Sequence, residues 1–143
     1  MATSDAHEIQ SVISRYTNCV NRKDWVVLPT IFTHDAVWAA PAVPDATFSG
    51  LAAIVAGIPL LVGGTTSLIQ LNTPSDIRIL GDTATAQCSI RETGSIESQG
   101  IRFEAHGWYD DEMVREDGLW KFSRRTFSLI ENYFTPISTL GTA

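Results

Sequence analysis

Cysteine is almost missing from this sequence: Cys19 and Cys88 are the only two. Both sit among apolar neighbours, one in a predicted helix and one in a predicted strand. They read as buried free thiols of a reducing compartment, not as a disulfide framework or a zinc or redox motif. Basic residues are scarce too. Ten Lys and Arg against sixteen Asp and Glu leave a net charge of -6. The nearest thing to a basic cluster is Arg124-Arg125 with Lys121, so nucleic acid and anionic membrane surfaces are disfavoured as partners. Long apolar runs are absent. The longest, Leu51 to Val62, is broken by Gly57 and Pro59 and is too short to span a bilayer. The N-terminus carries Asp5 and Glu8 and has no basic stretch followed by an apolar one, so no secretory leader is expected and the protein reads as cytoplasmic. There is no glycine-rich phosphate loop, no paired Cys or His spacing and no Ser-His-Asp motif. Neither a metal nor a cofactor is expected.

What is present suits one domain over residues 1–143. The charged fraction, 18%, is low for a globular chain, which fits an apolar cavity or a subunit interface. Helical patterning fills the first third and strand patterning the last half, so the fold class is α+β. Ile9, Val12, Ile13, Tyr16 and Val20 recur at three- and four-residue steps and predict a helix from about Asp5 to Asn21, capped by Asp5 and Glu8. Asp24 is expected to cap a second short helix near Trp25, with Pro29 in its first turn. A short strand at 35–38 and a loop from Pro41 to Gly50 follow. A third helix is predicted at 51–61, stopped by Gly63-Gly64.

Four strands come next: one interrupted at Pro74 (67–71 and 77–80), then 83–93, 101–115 and 119–130. Short turns join them, with a polar hairpin loop at 94–100. Long strands with short connections imply a strongly curved antiparallel sheet. Alternation places Ala84, Ala86, Cys88, Ile90 and Glu92 on one face of the second strand. On the third it groups Phe103, Ala105, Gly107, Tyr109 and Met113, opposite Glu104, His106, Trp108, Asp110 and Glu112. On the fourth it groups Trp120, Phe122, Arg124 and Thr126. The small residues Ala84, Ala86, Ala105 and Gly107 are expected to leave room for a pocket on the concave side.

Several motifs in order resemble the SnoaL-like family of the nuclear transport factor and scytalone dehydratase superfamily. They are Arg15-Tyr16, Lys23-Asp24-Trp25, the run Phe32 to Trp38, Gly50, Gly81-Asp82-Thr83-Ala84, Gly107 to Asp111 and Asp117 to Phe122 with Arg124-Arg125. The resemblance spans roughly residues 8 to 128. It implies a cone: a curved antiparallel sheet wrapped around a long N-terminal helix, with an apolar pocket. It also implies a homodimer, and Trp108 on the outer sheet face agrees. The dehydratases of that superfamily carry a carboxylate where this chain has Asn21. They carry a His near Ser67 or Leu68, which this chain lacks. The Asp–His dyad is therefore missing, while the helix tyrosine, Tyr16, is retained.

The candidate catalytic residues are Tyr16, Glu92 and His106. A buried Glu92 would titrate near neutrality, His106 is the only histidine in the sheet, and a tyrosine hydroxyl can hold a substrate oxygen. Asn21, Trp38, Asn72, Tyr109 and Arg124 are candidates for substrate binding, Arg124 also as partner of a buried carboxylate such as Glu92. The expected function is a cofactor-independent isomerase, cyclase or lyase acting by acid–base chemistry on a polycyclic, polyketide or terpenoid secondary metabolite. The alternatives are a non-catalytic small-molecule binding protein and an accessory β-type subunit of a larger oxygenase. The segment after Ile130, with Tyr133, Phe134 and Pro136, is a candidate lid.

Overall fold

The computed structural model describes residues 4–139. Helix α1 (Asp5–Arg22) buries the expected stripe of Ile9, Val12, Ile13, Tyr16 and Val20. Its cap lies one residue earlier than the sequence suggests: Ser4 Oγ accepts from the His7 amide at 3.2 Å. Asp5 is thereby free to accept from Arg115 Nη1 (2.8 Å) and Trp120 Nε1 (3.0 Å), tying the helix start to the far end of the sheet. A 3-10 turn (Trp25–Val27) and helix α2 (Leu28–Ile31) follow. Asp24 precedes the turn but makes no side-chain cap bond, contrary to expectation.

Strand β1 (Phe32–Ala39) is longer than its predicted core. The loop after it holds a short strand, β2 (Thr47–Ser49), before helix α3 (Leu51–Val62). The interrupted strand is two strands, β3 (Ser67–Asn72) and β4 (Asp76–Leu80), both pairing antiparallel with β5 (Thr83–Ile96). Strands β6 (Ile101–Glu116) and β7 (Leu119–Pro136) complete the sheet in the order β2-β1-β7-β6-β5-β3. All pairs are antiparallel except β1 with β7, which is parallel. The sheet curves around α1 without closing, and the helix stripe meets the inner sheet face in one apolar core. Among the described residues, no helix is long and apolar enough to cross a membrane.

Strand β7 departs from strict alternation. Its register against β6 shifts between Glu112 and Met113, which pair with Arg124 and Phe122, leaving Ser123 as an extra residue. One extra residue inverts which later side chains face inward. Arg124 is consequently exposed, and Arg125 takes the inward position with no exposed surface. The assignment of Arg124 to the core face, and to a pairing with Glu92, is thus corrected. Ser123 Oγ donates to the Glu112 carbonyl at 3.1 Å and fastens the bulge. A second shift between His106 and Gly107 leaves Ile130 as another extra residue.

Of the small residues expected to leave room for a pocket, Ala84, Ala86, Ala105 and Gly107, none lines the cavity between α1 and the sheet. Ala84 and Ala86 are buried in the core. At Gly107 the place of a side chain is already filled by the Phe127 ring and the Ser128 carbonyl, so only glycine lets β7 approach there. The free thiols of Cys19 and Cys88 are both buried, as expected.

Candidate functional site

A cavity of about 260 Å³ lies between the second half of α1, the end of α3 and the inner face of β1, β3, β5, β6 and β7. Its walls are mostly apolar, with Val20, Val43, Leu68, Phe103 and Phe127 among them. Six polar side chains interrupt them: Tyr16, Trp38, Thr65, Gln70, Glu92 and Tyr109. Four of the eight residues singled out from sequence therefore meet here, namely Tyr16, Trp38, Glu92 and Tyr109.

Glu92 reaches the cavity through the period-two alternation of β5, and its cross-strand partner on β3 is Gln70. Gln70 Nε2 donates to Glu92 Oε2 at 2.7 Å. Burial pushes the Glu92 carboxyl above the usual carboxylate range, and the Gln70 bond offsets only part of that. Tyr16 and Tyr109 are almost completely buried, with rings 6.0 Å apart edge to face and hydroxyls in hydrogen-bonding reach of each other. Burial raises Tyr16 to about 12 and Tyr109 well above its ordinary value, while the neighbouring Glu92 charge adds to both. Both phenols therefore stay protonated at neutral pH and act as donors. The Trp38 indole is stacked on Phe48 with centroids 5.6 Å apart. Phe48 in turn lies where any side chain at Gly57 of α3 would sit, so that glycine lets the helix close over the indole.

A raised carboxyl has a defined effect on stability. The folded chain holds the Glu92 proton to higher pH than the unfolded chain does, so ionising it costs stability as pH rises through that window. Glu92→Gln removes this cost. The variant is expected to melt above the wild type near pH 7, with the gap closing below about pH 4, where Glu92 is protonated in both states. Thermal unfolding at the two pH values checks this, and an equal gap at both would contradict it.

The other expected residues lie elsewhere. His106 is on the outer sheet face, where Nε2 meets Glu104 Oε1 at 2.7 Å and Nδ1 meets Glu131 Oε1 at 2.9 Å. Those two carboxylates raise its pKa, and the nearby bulge falls on β7, so His106 is not turned inward. Asn21 holds β3 to α1: its Nδ2 donates to the Gln70 carbonyl (3.0 Å) and its Oδ1 accepts the Gln70 amide (2.7 Å). Asn72 Nδ2 donates to Thr17 Oγ1 at 2.8 Å. Both asparagines line a groove outside the α1–β3 seam, not the cavity. Arg124 faces solvent. Of the segment after Ile130, residues 131–136 continue β7 and place Phe134 at the cavity wall, so this part is no detached lid; the rest of the expected lid, residues 140–143, lies outside the described residues.

Gln70 and the buried pair Asp111–Arg125 escape sequence reasoning. Gln70 shares the inward parity of Leu68 on β3, the one signal that pointed to it. Asp111 has the parity of Tyr109 and Met113 on β6. Behind the cavity wall, Arg125 Nε stands 3.3 Å from Asp111 Oδ1, and its guanidinium lies 3.6 Å from the Tyr109 ring centroid and 4.3 Å from that of Tyr16.

A long helix enfolded by a curved, open sheet, with an apolar cavity between them, defines the cone-shaped α+β class. The chain belongs to the SnoaL-like domain family, which it matches over residues 1–126. No curated protein matches it in sequence. Among solved structures it is similar to hexachlorocyclohexane dehydrochlorinase LinA-type3 from Novosphingobium barchaimii LL02, at 21% identity and TM-score 0.82, covering 96% of this chain and 92% of that one. It is also similar to a candidate scytalone dehydratase from Novosphingobium aromaticivorans DSM 12444, at 17% identity and TM-score 0.80, covering 89% and 85%. The Kfla4162 protein from Kribbella flavida matches at 19% identity and TM-score 0.82, covering 90% and 93%. At these identities the likeness concerns the fold.

Proposed function

We infer that this protein is an acid–base lyase or isomerase that needs no cofactor for its chemistry and acts on a small, largely apolar molecule. One observation carries the reading: a single carboxylate, Glu92, stands in an apolar cavity beside two protonated phenols. Ionised Glu92 removes a proton from a substrate carbon. The C–H electron pair then forms a C=C bond. In a lyase that bond expels a leaving group from the adjacent carbon. In an isomerase the proton returns from Glu92 to a different carbon. Tyr16 and Tyr109 donate to a substrate oxygen as negative charge grows on it. Gln70 fixes the carboxylate, which limits the reorganisation needed at the moment of transfer.

The dehydrochlorinase and dehydratase names among the structural neighbours favour elimination over cyclisation. The cavity size also narrows the range of substrates. A cavity of roughly 150 Å³ takes one benzene ring, so 260 Å³ accommodates one or two rings, fewer than the polycyclic skeletons the family resemblance implies.

The test uses 5-nitrobenzisoxazole, a neutral two-ring compound that opens when a base removes its single C–H proton from the isoxazole ring. The protein is expected to speed this opening. The rate should rise with pH as Glu92 ionises, with a midpoint above the ordinary carboxylate range because burial raises it. A rate no greater than that of buffer at any pH would overturn the reading.

A further inference from the structure

Two buried polar atoms among the cavity-lining side chains complete no hydrogen bond within the protein, the Tyr16 hydroxyl being near the Trp38 indole without closing one. They are Trp38 Nε1, a donor, and Gln70 Oε1, an acceptor. Trp38 is 4% exposed and Gln70 5%, so bulk water does not serve either side chain. Neither can turn away. The indole is clamped by its stack on Phe48. The Gln70 amide is oriented by its Nε2 bond to Glu92, and its backbone is held in both directions by Asn21. Leaving a buried polar group unpaired is unfavourable, so groups fixed in that state next to a cavity point to where a ligand completes the bonding.

The charges around the cavity set the remaining limits. Among the described residues, no Lys, Arg or His lines it. The nearest guanidinium, Arg125, has no exposed surface, lies behind the Tyr16 and Tyr109 rings and is engaged with Asp111. A carboxylate or phosphate ligand would meet Glu92 and no cation. A cationic amine would satisfy Glu92 and Gln70 but would turn a donor toward the Trp38 N–H. A halocarbon would leave both unpaired atoms as they are.

We propose that Trp38 and Gln70 are the specificity determinants of this cavity and that its ligand is a neutral, oxygen-bearing molecule of one or two rings. An oxygen of the ligand accepts from Trp38 Nε1–H, and a hydroxyl hydrogen is donated to Gln70 Oε1. The inference rests on the reading of this cavity as the reaction site, and it goes further by selecting oxygenated over halogenated substrates.

Binding of four probes on one type of scaffold tests it without any turnover: 2-naphthol, 2-chloronaphthalene, 2-naphthoate and protonated 2-aminotetralin. Isothermal titration gives affinities, and the indole N–H resonance of Trp38, assigned by its loss in Trp38→Phe, reports the contact. 2-Naphthol is expected to bind roughly tenfold or more tightly than each of the others and to shift the Trp38 N–H signal downfield. Trp38→Phe should cut 2-naphthol affinity by about the same factor and leave 2-chloronaphthalene unchanged. If Trp38→Phe does not fold, the probe order on the wild type decides alone. Equal binding of 2-chloronaphthalene, tightest binding of the naphthoate or the amine, or no binding of any probe overturns the inference. Selective 2-naphthol binding by a protein that fails to open 5-nitrobenzisoxazole would remove the catalytic reading and leave this one standing. Catalysis without the selectivity would do the reverse.

Discussion

Replacing Asp111 with alanine is expected to cost the fold about 3–5 kcal/mol. The cause is the cation it leaves behind. Arg125 has no exposed surface, and its guanidinium is stacked over the rings of Tyr109, Tyr16 and Phe122 at 3.6, 4.3 and 4.8 Å. Among the described residues its one ionic contact is with Asp111, at 3.3 Å, and none of its three nitrogens completes a hydrogen bond. Charge attraction and the aromatic faces hold the pair, without the bonding fork that usually accompanies a buried arginine. Burial is severe enough that, even beside the guanidinium, the Asp111 carboxyl is pushed up to about 6. Without the carboxylate, nothing in the interior balances Arg125. The double variant Asp111→Leu with Arg125→Met removes both charges and should be more stable than Asp111→Ala. Urea unfolding of the two variants and the wild type measures this. A loss below about 1 kcal/mol for Asp111→Ala would show that the pair is not what secures this layer of the core.

The second large effect is on activity. Glu92→Gln should lower the rate of 5-nitrobenzisoxazole opening by about 10²-fold or more, the usual contribution of a positioned general base. The substitution keeps the shape of the side chain and an acceptor for Gln70 Nε2, so the cavity should persist. It should also abolish the pH dependence, because among the described residues no other carboxylate lines the cavity. Together with the higher melting temperature expected of the same variant near neutrality, this gives opposite signs for stability and activity at one residue, the mark of a functional group held where the fold disfavours it. A Glu92→Gln protein that is as active as the wild type would assign the chemistry to some other group.

The sequence carried most of the architecture. The α1 stripe from Ile9 to Val20 and the strand starts at Thr83, Ile101 and Leu119 follow from period and turn chemistry, and the structure has them all. The inward parity of Glu92 and Tyr109 was legible for the same reason, since β5 and β6 carry no extra residue between those positions and their neighbours. Legibility ends at the bulges. Strict alternation along β7 selects Arg124, and only the one-residue insertion at Ser123 puts Arg125 inside instead. Gln70 was missed because a polar residue in a strand reads as solvent-facing, and its burial depends on tertiary contacts with Glu92 and α1. Asn21 was expected to bind substrate, but its amide is spent on the backbone of Gln70. Here a polar side chain at the end of a helix stitches two elements together.

The bulge at Ser123 also has a bearing on how this strand can change. Arg124 and Arg125 are chemically identical neighbours. If the extra residue stood at position 125 in place of 123, Arg124 would turn inward opposite Asp111, while Phe122 and Phe127 would keep their present sides. The interior would hold the same charge pair and the same flanking rings, built from a different residue. Strand β7 therefore has a twofold degeneracy at its most deeply buried charge, and the hydrogen bond from Ser123 to the Glu112 carbonyl breaks it. In a lineage of such chains, loss of that serine would let the two arginines exchange duties with no change in composition. Aligned descendants would then appear to conserve both, although each fold uses only one.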